Sequence, residues 1–259
     1  MVIGHSSHYS GAKETPAPNS PWKRVEEAQL DARTPCLLVP QPAHAVMAGD
    51  LAAALLPEVF GELPAEITQS ILMHDTGWAM IDAAQIQRLR SNAARGTKPM
   101  SFVAASPQES EEAWTASINS VERLSPAGGM VVSRHFALLA GQSEHRNFVA
   151  AERTRQRRLA AQCGAPALET ARWVAALGFC DLLSLYLLCG FEGEAAFPLA
   201  HPATPEARNA PHVTLTIDDG LLHFLPQIFH PGSKLELDTL RHPIEGGGSR
   251  VERLSWKIV

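Results

Sequence analysis

Several things are scarce in this sequence. Aromatic residues occupy 6% and charged residues 19% of its 259 positions, with only two tyrosines. No stripe of Lys and Arg appears, and the densest basic run, Arg153 to Arg158, is short. The formal net charge is -5 and the pI about 6.1. A nucleic-acid binder needs a clustered positive field, so that class of partner is not expected. The four cysteines, Cys36, Cys163, Cys180 and Cys189, show no C-x-x-C spacing. Cys180 and Cys189 lie in apolar surroundings, which suits buried free thiols in a reducing cytoplasm. The first 21 residues are rich in Ser, Pro, Gly and His and have no apolar stretch. That composition does not make a signal peptide, and it predicts a disordered tail over residues 1–21.

Long apolar runs are also missing, with one exception. Trp173 to Phe191 is nearly continuous and about long enough to cross a bilayer. It contains Asp181, however, and has no companion segment. A helix that is apolar all round also serves as the central helix of a soluble domain, and that reading is preferred here, with no membrane partner.

What is present describes an ordinary core. Hydrophobic residues make up 45%. The length suits one sizeable domain with a small appendage. Helical periodicity predicts helices near 43–56, 64–75, 106–124, 126–141, 144–163 and 166–189. Ser106-Pro107-Gln108-Glu109 is a strong helix start, with a serine cap, a proline at the first position and a glutamate three residues on. Residues 78–106 read as a loose loop. Residues 22–25 and 35–39 read as short strands. The alternation at 212–217, the Asp218-Asp219-Gly220 turn and the runs at 221–225, 234–240 and 251–259 read as a small antiparallel sheet, which the two N-terminal strands could join. The expected fold is mainly α. A helical metal-binding domain would span 22–195, and a small β appendage, 196–259, would pack on it.

One stretch stands out. In Ile71-Leu72-Met73-His74-Asp75-Thr76-Gly77-Trp78, three apolar residues deliver a His-Asp pair to the end of a helix, before a glycine suited to a left-handed helix end. Neighbours on a helix point about 100° apart, so one cation between the two directions is within reach of both. Imidazole and carboxylate are ligands that Zn, Fe, Mn or Ni accept. Other helices present metal-competent residues on apolar backgrounds: His44, His135 and Asp181. Phe179-Cys180-Asp181-Leu182-Leu183 buries a carboxylate where an unpaired charge is costly. A cation, a buried arginine or protonation would each remove that cost. Taken singly, His44 reads equally as a helix-start residue, His135 as a core histidine, Arg134 as a counter-ion for Asp75 or Asp181, and Trp78 as packing.

The order His … His-Asp … Asp resembles the HD-domain superfamily of metal-dependent phosphohydrolases, helical domains named for the adjacent pair. The resemblance implies that His44, His74, Asp75 and Asp181 hold the metal. His135 is similar to the added histidines of two-metal members, with His145 a weaker second candidate on a polar helix. More narrowly, Gln41-Pro42-Ala43-His44-Ala45, His74-Asp75-Thr76-Gly77-Trp78, Ser133-Arg134-His135-Phe136 and Cys180-Asp181-Leu182-Leu183-Ser184-Leu185 look like an uncharacterised bacterial family of unknown function. The downstream lysine or arginine motif of nucleotide-hydrolysing members is absent.

The expected function is hydrolysis of a small phosphoester by metal-activated water, with one or two divalent ions (Fe, Mn, Zn or Ni) as cofactor. Arg134 would offset negative charge, and Asp82, near the pair, would accept a proton. Two alternatives stand beside it. One is a two-iron oxygenase, which some relatives of similar fold are. The other is a non-catalytic metal-binding protein. The sequence leaves a homo-oligomer open.

Overall fold

The apolar run around Asp181 is the axis of the structure. The computed structural model describes residues 1–5, 35–91, 97–141, 144–164, 166–191, 193–242 and 250–259. Strands β1 (Val2–His5) and β2 (Cys36–Val39) come first. Among the described residues the helices follow as α1 (Gln41–Ala54), α2 (Pro57–Phe60), α3 (Ala65–Met73), α4 (Ala79–Ser91), α5 (Pro107–Glu122), α6 (Pro126–Leu139), α7 (Arg146–Cys163) and α8 (Ala167–Leu188). The chain closes with β3 (Gly193–Pro198), β4 (His212–Asp218), β5 (Leu221–Leu225), β6 (Lys234–His242) and β7 (Val251–Ile258).

The helix starts have local causes. Ser106 Oγ accepts from the Glu109 N–H at 3.2 Å while the Glu109 carboxylate takes the Ser106 N–H at 2.9 Å, a complete capping box. Ser125 caps α6 by accepting from the Gly128 N–H at 3.1 Å. Helix α8 passes a length-and-apolarity test for a membrane span, yet 83% of its most apolar window is buried inside the fold. It packs against α1, α2, α6, β1 and β3. Those partners bury an apolar helix inside the fold.

The mainly α expectation with a small antiparallel sheet is overturned. Among the described residues 56% are helical and 21% strand. All seven strands join one curled, mixed sheet in the order β1-β2-β6-β7-β5-β4-β3. Its pairs are antiparallel except β5 with β7, which run parallel. The sheet is larger than expected because β1 and β3 also join it, while β2, the strand expected near 35–39, pairs with β6 through Leu38↔Leu240. Such pairings leave no local trace in sequence. The expected β4–β5 hairpin is present, with Asp219 and Gly220 at φ 45° and 76° in its two-residue turn.

Two further expectations need correction. Residues 2–5 of the supposed tail are strand β1, and Met1, Val2 and Ile3 are buried against the core. The rest of that tail and the strand expected at 22–25 lie outside the described residues. Residues 79–91, read as loop, form α4. Only Asp82 and Leu89 of that helix are buried, so it carries little apolar periodicity to read. The expected division between residues 195 and 196 falls inside β3, and one buried cluster runs from Val2 to Ile258.

Candidate metal centre

Each member of the expected set is placed by a different helix or helix end. His44 lies in the second turn of α1, His135 in the middle of α6 and Asp181 in the middle of α8. His74 is the residue after α3, still in helical conformation, and Asp75 leaves the helix at φ -111°. That turn swings the Asp75 carboxylate towards the imidazole beside it. Gly77 is not the left-handed helix end the sequence suggested. It lies in a 3-10 turn, Thr76–Trp78, where a Cβ would stand 2.0 Å from the Ala113 carbonyl oxygen. Its N–H donates to Ser117 Oγ at 2.9 Å. A bare backbone is therefore needed for the His-Asp turn to press against α5.

The five side chains meet. His44 Nε2 lies 3.0 Å from Asp181 Oδ1 and 3.5 Å from Asp75 Oδ2. His74 Nε2 lies 3.5 Å from Asp181 Oδ1 and 3.6 Å from Asp75 Oδ2. His135 Nε2 faces the other oxygen of Asp181, Oδ2, at 3.7 Å. All five are buried, with the Asp181 side chain the most open at 11%. Despite these short approaches, neither His44 Nε2 nor His74 Nε2 has a hydrogen-bond partner. The ring nitrogens and carboxylate oxygens are gathered within 4.8 Å of one another in each of two overlapping groups.

The outer contacts explain why. His74 Nδ1 lies 2.7 Å from the Ile71 carbonyl, which only accepts, so Nδ1 carries the proton. Ser184 Oγ lies 2.8 Å from both His44 Nδ1 and the Asp181 carbonyl. Its single proton goes to the carbonyl, so His44 Nδ1–H donates to Ser184. In its neutral form each ring therefore turns an Nε2 lone pair inward, held by the kind of outer hydrogen bond that orients metal-ligating histidines.

The electrostatics agree with a site built for positive charge. Burial opposes charge on His74, but Asp75 and Asp181 outweigh it and push its pKa up to about 9. Burial alone would raise Asp181, yet the imidazoles of His44 and His74 hold it well below the usual carboxylate range. Asp75 is raised, by burial first and by the charges of Asp181 and Asp82. His135 is pushed well below its ordinary value by burial. Two overlapping groups, His44-His74-Asp75 and His74-His135-Asp181, bring ligand atoms within 4.8 Å of one another and could hold a metal ion. The two orphaned imidazole nitrogens and the two carboxylates fit a borderline divalent cation.

The other expected residues fare differently. Asp82 is buried and not available as a proton acceptor. It accepts from the Gln41 N–H at 2.6 Å and lies 2.7 Å from the Met1 amino nitrogen, so it anchors the start of α1. Arg134 does not neutralise Asp75 or Asp181. It is half-buried, and no ion pair or hydrogen bond holds its guanidinium among the described residues. His145 is engaged elsewhere, 2.8 Å from Glu111. Trp78 is buried, as packing requires.

One buried histidine had no place in the sequence reading. His201 Nε2 stands 3.0 Å from His135 Nδ1, and burial together with the charge of Arg134 lowers its pKa to about 4. His201 sits in a loop after β3, so no periodicity marks it. Its only trace is a glycine at position 178, in the middle of the longest helix.

A family model described as "Protein of unknown function (DUF3891)" matches residues 30–238. The chain belongs to this family. The DUF3891 match spans every residue of the centre, from His44 to His201. No curated protein and no solved structure matches the chain.

Proposed function

We propose that this DUF3891 member is a metal-dependent phosphohydrolase acting on a small phosphoester, as the likeness to the HD-domain superfamily suggests. The observation that supports the reading is the pair of Nε2 atoms without a hydrogen-bond partner, those of His44 and His74, gathered with Asp75 and Asp181 in one buried cluster. These four residues would hold the ion. A divalent ion supplies a bound water of pKa about 7 and a positive centre for a phosphoryl oxygen.

The chain's own residues supply the rest. Asp75 and Asp181 offset the cation's charge inside a dry core. Burial keeps His135 neutral beside the outer oxygen of Asp181. Arg134, partly exposed and without a counter-ion among the described residues, offers a planar donor set suited to phosphate oxygens. The apolar walls of α1, α6 and α8 keep bulk water from the other faces of the site.

A screen of small phosphoesters with added Mn, Co or Ni tests this reading. Turnover that needs the metal and falls in Asp181→Asn supports it. No turnover with any of these metals, in protein shown to contain one, overturns it.

A further inference from the structure

We propose that His201 fixes His135 as a hydrogen-bond donor on the Asp181 Oδ2 side of the centre, so that His135 is not one of the ion's ligands. The Ala203 N–H donates to His201 Nδ1 at 3.2 Å, so Nδ1 presents a lone pair and the ring proton sits on Nε2. That Nε2–H points at His135 Nδ1, 3.0 Å away. His135 Nδ1 must therefore accept, and its own proton sits on Nε2, facing Asp181 Oδ2. Either ring in its doubly protonated form would set two N–H groups against each other. The pattern is opposite to that of His44 and His74, whose outer contacts place the proton on Nδ1 and leave Nε2 free to ligate.

The fold makes room for this contact. A Cβ at position 178 would lie 2.4 Å from His201 Cδ2, so the ring rests directly on the backbone of α8. A glycine inside a helix is unfavourable by roughly 1 kcal/mol relative to alanine. The loop is held in turn, because the His201 carbonyl accepts from the Thr204 hydroxyl at 2.8 Å and the Thr204 N–H at 3.0 Å. His201 thus acts as a positioning residue. The His135 Nε2–H is left to donate to an oxygen at the centre. That this oxygen belongs to a phosphoryl group rests on the phosphohydrolase reading; the proton arrangement does not.

Long-range 1H–15N correlation of the histidine rings tests the proposal in the full chain, metal-free and loaded with Zn2+. Both His135 and His201 are expected as Nε2–H forms in both states, with an N–N coupling across their hydrogen bond. Zn2+ should shift the Nε2 signals of His44 and His74 only. His135→Phe should keep one Zn2+ per chain and lose less than the ~10-fold in affinity that removing even an outer partner of a ligand costs. Conversion of His135 to the Nδ1–H form on adding Zn2+, or loss of the ion in His135→Phe, overturns the proposal. One Zn2+ per chain with the expected proton pattern supports it, and does so even if no phosphoester is turned over, a result that defeats only the phosphohydrolase reading.

Discussion

Ser184 Oγ lies 2.8 Å from His44 Nδ1, and the same oxygen lies 2.8 Å from the carbonyl of Asp181 one turn earlier on α8. A single hydroxyl therefore ties the orientation of an imidazole on α1 to the helix turn that carries the aspartate facing it. Ser184→Ala removes this tie with almost no change in shape. The expected result is a folded protein whose affinity for Zn2+ or Co2+ falls by roughly 10–100-fold, the usual cost of losing an outer-shell partner. Competitive titration against a chelator measures it.

The second prediction concerns pH. In metal-free protein His74 has a folded pKa raised to about 9, since Asp75 and Asp181 outweigh the effect of burial. A raised pKa means that the folded state binds the proton more tightly than the unfolded chain. The stability it contributes is complete below about 6.5 and is lost as pH rises through about 9. An ion must displace that proton, so metal affinity should climb with pH up to about 9 and level off above it. Calorimetric titrations in buffers of different ionisation enthalpy should count the released proton, and an affinity that does not change with pH would contradict the assignment.

Gly178→Ala is predicted to destabilise the protein. The added methyl would stand 2.4 Å from His201 Cδ2 and force the ring or helix to move. Overpacking of this kind costs about 1–3 kcal/mol, partly offset by about 1 kcal/mol of helix propensity. Urea denaturation should show a net loss, and the ion held by His44 and His74 should remain.

Asp82→Ala should lower stability by about 1.5–3 kcal/mol, the range for hydrogen bonds to a charged group. The Gln41 N–H, 2.6 Å away, then loses its acceptor at the start of α1. Such a variant should still bind one ion per chain, because Asp82 touches none of the groups that face the centre. Loss of the ion with stability unchanged would restore Asp82 to the site.

The centre was legible in the sequence because its members are polar residues set in apolar helical runs. Asp181 between Cys180 and Leu182, and His74-Asp75 after Ile71-Leu72-Met73, stand out by contrast. The helix start at Ser106 was legible for another reason: capping is a local contact. The sheet was legible only in part. Strands β4 and β5 announce themselves through their turn, whereas β1, four residues long, is recognisable only once β2 lies beside it. Asp82 was misread because nearness in sequence to His74 says nothing about which way a side chain on α4 faces. His201 was invisible because its role depends on a loop folding back onto a helix glycine, a contact with no sequence period.

The central claim is that His44, His74, Asp75 and Asp181 surround one cation. Anomalous diffraction from crystals grown with excess Zn2+ or Mn2+ tests it most directly. The account predicts a single peak about 2.0–2.2 Å from His44 Nε2 and His74 Nε2 and from one carboxylate oxygen of each aspartate. A structure in which His44 and Asp181 close on each other as a hydrogen-bonded pair, with the metal bound elsewhere or not at all, would contradict it.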